Sequence, residues 1–162
     1  MRPMIRQSQL NEIDSRKPRK VFERPSVRGY EEVPTIDLLA SLLVGEAESK
    51  SIEQMRIIAK IVSNRNNKED KRYGNDIREV MLKYKQFYGL SDPPARARIA
   101  QNFARGSDAL QRARQVAYET MTGTLEVPDW ALNATHFDHS LTSHETLKLL
   151  GEMDGLRVFQ EE

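Results

Sequence analysis

The run Leu38-Leu39-Ala40-Ser41-Leu42-Leu43-Val44 constrains this chain more than any other part of it. Read as a helix, it is apolar on nearly every side, and such a helix has to be buried. The rest of the chain must cover it. Gly45-Glu46-Ala47 follows directly. A carboxyl at the end of a buried helix is partly withdrawn from water, which disfavours its charged form and raises its pKa. A carboxyl that stays protonated near neutral pH can give its proton to a glycosidic oxygen. Glu46 is therefore a candidate acid in a carbohydrate-cleaving enzyme. A surface glutamate near a helix end is the competing reading, and the tripeptide alone does not separate the two.

Around that run the chain reads as mostly helical. The first helix spans Ile36 to Val44. Ser51 and Gln54 form a capping box, each side chain satisfying the other residue's free backbone N–H, and Met55, Ile58, Ala59 and Val62 recur at helical spacing until Asn64-Arg65-Asn66-Asn67. Asn75 caps a third helix with Ile77, Val80, Met81 and Tyr84 inward. Asp92-Pro93-Pro94 opens a fourth, since proline suits the first helical turn. A fifth runs from Ser107 to Met121, with Leu110, Ala113, Ala117 and Met121 inward and Gly123 as terminator. Leu125 to Phe137 is loop-like with a short strand at Ala134–Phe137, Ser143–Leu150 reads as a short helix closed by Gly151, and Arg157-Val158-Phe159 reads as a last strand. The fold class expected is α+β, mainly α-helical, with a small late β element.

The 162 residues fit one compact domain and an arm. Residues 1–33 lack periodicity and are interrupted by Pro3, Pro18 and Pro25, so they read as an extended arm before a domain at 34–162. Residues 1–30 hold eight basic and three acidic side chains, a net +5, whereas the whole chain carries +1. A basic arm on a mildly acidic body suggests two jobs. Its charge permits nucleic acid as a partner. With Phe22 and Tyr30 as its only aromatics and no recognition motif, the arm favours docking to protein. No apolar run approaches the ~18 residues of a membrane span, and residues 1–6 do not open a signal peptide.

Other chemistries find little support. Cysteine is absent, which removes disulfides and thiolate metal sites. His136, His139 and His144 cluster, and Asp138 could add an oxygen, but the spacing matches no common metal motif and favours groove lining or surface roles. Gly74 and Gly89 are isolated, so there is no phosphate loop, and no G-x-S-x-G elbow appears. No cofactor or metal is expected.

From Leu38 to Arg65 the chain resembles the SleB/CwlJ-type cell-wall hydrolases, a family also found in phages. The likeness lies in an apolar helix, Gly45-Glu46-Ala47, a polar loop Glu48–Lys50, and an apolar helix ending Ile61-Val62-Ser63-Asn64-Arg65. Downstream, Val80 to Phe87 resembles the segment ending in Gln-Phe, Ala113 to Gly123 the next helix, Asn133-Ala134-Thr135-His136-Phe137 a Gly-Ala-Thr-His-Tyr segment, and Gly155-Leu156-Arg157-Val158-Phe159 a closing Gly-x-His-x-Phe strand. The chain has Glu48-Ser49-Lys50 where the family has Arg-Gly-Glu, and Arg157 in place of the closing histidine.

The resemblance implies a lysozyme-like or lytic-transglycosylase-like fold that cleaves the β-1,4 bond between N-acetylmuramic acid and N-acetylglucosamine in peptidoglycan. It implies Glu46 as the catalytic residue, with Gln86, Phe87, Tyr88, Thr135, His136 and Phe137 lining the groove. A standard glycosidase uses two carboxylates. One strong candidate is visible, which suits a lytic transglycosylase better than a muramidase. Asn64 and Arg65 are expected to tie their helix to a neighbour. A chain of this kind without a signal peptide fits a phage virion, in the tail, or a lysis protein held in the host cytoplasm until release to the wall. The alternative is a catalytically weak or inactive structural protein of a phage particle, docked to other virion proteins through residues 1–33.

Overall fold

The computed structural model describes residues 28–83, 86–138 and 147–161. Residues 1–27, Tyr84, His139 and His144 lie outside these, as do residues 143–146.

The fold is α+β and mainly α-helical, with one small sheet. The described residues form α1 (Thr35–Ala47), α2 (Ile52–Asn66), α3 (Ile77–Leu82), α4 (Tyr88–Ser91), α5 (Pro93–Arg105) and α6 (Asp108–Thr122). A 3-10 turn (Asp129–Ala131) leads to β1 (His136–Asp138), β2 (Leu147–Met153) and β3 (Leu156–Glu161). No helix among the described residues is long and apolar enough to cross a membrane.

The apolar run lies at the centre, as its composition requires. Helix α1 touches α2, α3, α4, α5 and α6. Leu38, Leu39, Leu42, Leu43 and Val44 are all fully buried. Burial of each such side chain contributes about 2 kcal/mol. The helix also runs further than periodicity predicts, so Gly45-Glu46-Ala47 forms its last turn.

Helix α2 starts at the expected capping box: Ser51 accepts from the Gln54 N–H, and Gln54 accepts from the Ser51 N–H. The Gln54 amide also donates to Met153 O at 2.9 Å, which fastens the start of α2 to the sheet. At the other end the Asn64 amide donates to Leu132 O at 2.9 Å and Ala134 O at 2.8 Å. Helix α2 thus holds the late segment at both ends, the tying role expected of Asn64.

Several local expectations need correction. Asp76, not Asn75, caps α3, because its carboxylate accepts from the Glu79 N–H at 2.9 Å. Met121 is 45% exposed. The buried positions of α6 end at Ala117, so its last turn lies outside the core. Leu147–Leu150 belongs to a strand and not to a helix. The antiparallel β2–β3 hairpin explains the change. Asp154 and Gly155 turn it with φ of 48° and 87°, a turn geometry that a two-residue hairpin favours. Gly151 is no helix terminator either. It lies under the Trp130 ring, where a methyl group would sit 2.6 Å from the ring carbon, and the sheet register shifts beside it.

The sheet is antiparallel in the order β1-β3-β2. Residues 28–33 lie against the body. Tyr30 is buried, Arg78 donates to Val33 O at 2.7 Å and Tyr30 O at 3.0 Å, and the Arg96 guanidinium stacks over the Tyr30 ring.

Candidate active site

Glu46 is half-buried in the last turn of α1. Its Oε1 accepts a 2.7 Å hydrogen bond from the Gly89 N–H at the start of α4. Among the described residues Oε2 has no hydrogen-bond partner. Burial pushes the carboxyl above its ordinary pKa of 4.5, while the Gly89 N–H and the guanidinium groups of Arg65 and Arg98 pull it back. Desolvation dominates, so the proton is held more tightly than on a surface glutamate.

The Gly89 donor is in place because α1 and α4 meet through two glycines. A methyl group on Gly45 would lie 2.7 Å from Gly89 O, and one on Gly89 would lie 2.7 Å from Gly45 C. Any side chain at either position would push the two backbones apart.

The nearest carboxylate along the chain, Glu48, is engaged elsewhere. Asn102 donates to its Oε2 at 2.5 Å, and Arg112 donates to its backbone carbonyl at 3.2 Å.

Arg65, at the end of α2, is 5% exposed. Its Nε donates to Thr135 O at 2.7 Å and its Nη1 to Gln86 Oε1 at 3.3 Å. The guanidinium lies between two rings, 5.0 Å from the Tyr73 centroid and 4.9 Å from that of Phe87. Burial lowers its pKa to about 10, which leaves it charged at neutral pH. Tyr73 donates to Glu161 Oε2 at 2.5 Å, and burial with this bond pushes the phenol up to about 12. Arg65 thereby gathers Gln86-Phe87 and Thr135-His136-Phe137, which lie far apart in the chain.

The expected groove residues therefore divide. Phe87 is 1% exposed and stacks on Phe137 at 6.4 Å, so its own ring is core and offers no face to a ligand. Thr135 is 1% exposed; its Oγ1 accepts from Glu161 N at 2.8 Å and lies 2.9 Å from His136 Nδ1. Both residues support the site. Gln86, His136 and Phe137 are half-buried. His136 meets the Tyr73 ring edge-on at 6.1 Å. Tyr88, next to the Gly89 donor, is 63% exposed and presents a free aromatic face. No cluster of metal-ligating side chains occurs among the described residues.

Sequence reasoning missed Gly89 as the donor to Glu46, and missed Tyr73 and Arg98. The one available signal was a glycine three residues after Gln86. Comparison with protein-family models, curated proteins and solved structures finds no match.

Proposed function

We propose that this chain is a peptidoglycan-cleaving glycosidase of the lytic transglycosylase kind, with Glu46 as its single acid/base. The observation that carries the reading is the state of the Glu46 carboxyl. One oxygen is fixed by the Gly89 N–H, the other has no partner among the described residues, and burial favours the protonated form.

In the first step Glu46 Oε2–H protonates the bridging oxygen between the two sugars. The C1–O bond breaks, its electrons stay with the leaving oxygen, and positive charge develops at C1 of the muramic sugar. Glu46 is now a carboxylate, stabilised by the Gly89 N–H and by the positive charges of Arg65 and Arg98. In the second step it takes the proton of the muramic 6-hydroxyl as that oxygen bonds to C1. The product is a 1,6-anhydro sugar, Glu46 is reprotonated, and no water is consumed. Tyr88 offers a sugar-stacking face beside the reacting bond, and Gln86 and His136 supply polar edges.

The test is turbidity loss of purified peptidoglycan with the full chain and with Glu46→Gln, followed by mass spectrometry of the products. Anhydro-muramic ends that need Glu46 support the reading. Reducing muramic ends would make it a muramidase, and full activity of Glu46→Gln would remove Glu46 from the chemistry.

A second reading is a structural protein of a phage particle that docks through residues 1–33. It is favoured by the root of the arm, which Arg78 and Arg96 clamp to the body so that the basic segment leaves from a fixed point. Under that reading the turbidity assay shows no loss with any variant.

A further inference from the structure

Thr135 is 1% exposed, so its hydroxyl is shut off from bulk water and its hydrogen bonds can be counted. Its main chain is fully engaged. The N–H donates to Phe159 O at 2.9 Å, and the carbonyl accepts from Arg65 Nε at 2.7 Å. The Glu161 N–H closes on the hydroxyl oxygen at 2.8 Å. That bond uses a lone pair of Oγ1 and leaves the hydroxyl proton to be placed. A backbone N–H cannot accept it. Among the described residues the one acceptor within reach is Nδ1 of His136, at 2.9 Å. The ring is held at that position, since His136 pairs with Phe159 between β1 and β3 and meets the Tyr73 ring edge-on at 6.1 Å.

Two arrangements fit the 2.9 Å distance. If Nδ1 carried a hydrogen, Oγ1 would accept twice, from Glu161 and from the ring, and the buried hydroxyl proton would have no partner. If Nδ1 is bare, Thr135 donates to it and every group around Oγ1 is satisfied. An unsatisfied buried donor weighs about tenfold or more against the first arrangement.

We infer that Thr135 is a positioning residue that fixes His136 as the neutral tautomer with its proton on Nε2. Nδ1, the basic nitrogen, is spent on the Thr135 hydroxyl, and Nε2–H can only donate. His136 therefore serves as a hydrogen-bond donor and not as a general base. The ligand group it suits is an acceptor oxygen, such as an acetamido carbonyl or a sugar hydroxyl oxygen. The role of His136 toward substrate rests on the peptidoglycan reading of Glu46; the tautomer does not. On that reading His136 activates no water, and the proton transfers fall to Glu46.

The test is a long-range proton–nitrogen NMR spectrum of the full chain with 15N-labelled histidine, recorded at about pH 9, where imidazole is neutral. The His136 signals are those lost in His136→Gln. The expected result is a protonated Nε2 and a bare Nδ1, with the other tautomer below about one part in ten. Thr135→Ser keeps the hydroxyl and should keep this pattern, whereas Thr135→Val should shift the Nδ1 signal and admit the other tautomer. A wild-type spectrum with hydrogen on Nδ1, or an even mixture, overturns the inference, and so does an unchanged pattern in Thr135→Val. If Thr135→Val does not fold, the wild-type spectrum decides alone. In the cleavage assay His136→Gln should raise KM and lower kcat by less than about tenfold. A loss of kcat of about a hundredfold or more, the worth of a general base, would restore His136 as a base. The two readings fail separately. No cleavage by the wild type sinks the enzymatic reading and leaves the tautomer standing, and the wrong tautomer in a cleaving protein sinks this inference alone.

Discussion

Gly45 and Gly89 meet backbone to backbone, and through that contact the Gly89 N–H reaches Glu46 Oε1. The position of the carboxyl therefore depends on two absent side chains as much as on any side chain present.

Gly45→Ala should separate α1 from α4. The new methyl would sit 2.7 Å from the Gly89 carbonyl oxygen, and that atom belongs to the main chain and cannot rotate away. Overpacking of this kind costs about 2 kcal/mol. Urea denaturation reads the loss. Cleavage of peptidoglycan should fall further than stability accounts for, because the donor to Glu46 moves. A fully active Gly45→Ala protein would show that the contact does not set the geometry.

Glu46→Gln should abolish cleavage and leave the fold intact, since the amide oxygen still accepts from Gly89. The pH dependence gives a second check. The folded protein binds the Glu46 proton more tightly than the unfolded chain does. Its contribution to stability is therefore complete below the ordinary value of 4.5 and is lost as pH rises through the raised folded value. Glu46→Gln removes that loss, so its advantage in stability over the wild type should grow with pH across this window. Cleavage by the wild type should fall over the same window, as the acid loses its proton. An advantage for Glu46→Gln that grows toward low pH would contradict the burial argument.

Arg65→Lys keeps the charge but cannot span both Thr135 O and Gln86 Oε1 while stacked between Tyr73 and Phe87. The expected loss is about 2 kcal/mol, from a buried acceptor left unpaired and a planar group replaced by a point charge. Chemical denaturation measures it, and an unchanged midpoint would mean that Arg65 does not hold the two segments.

Gly151→Ala should disturb the only tryptophan of the chain, because its methyl would press on the Trp130 ring at 2.6 Å. A shift in tryptophan emission at unchanged helix content is the expected result. An unaltered spectrum would place Trp130 away from β2.

Where local chemistry decided the structure, the sequence was readable. The Ser51–Gln54 capping box, the Asp92-Pro93 start of α5 and the Ser107–Gly123 frame of α6 each carry their own stop or start residues. Helix α4 does not. Its four residues have no side-chain cap, and the Gly45–Gly89 contact fixes its place. Leu147–Leu150 looks helical by composition and becomes strand because β3 supplies its partners. The site divides in the same way. Glu46 stood out through the apolar run before it. Its donor is a backbone N–H, which leaves no letter in the sequence beyond a glycine. Phe87 could not be told from a groove residue, because an aromatic under a buried arginine and an aromatic facing a sugar are written alike.

The last turn of α1 contains no basic side chain, and Glu46 is the penultimate residue of the helix. The aligned peptide dipoles of a helix place roughly half a negative charge at such an end. On the proposed mechanism, the Glu46 carboxylate would form in the turn nearest that negative pole. There it would be a stronger base than the Gly89 N–H and the nearby arginines alone would leave it, which on that mechanism favours return of a proton from the sugar hydroxyl.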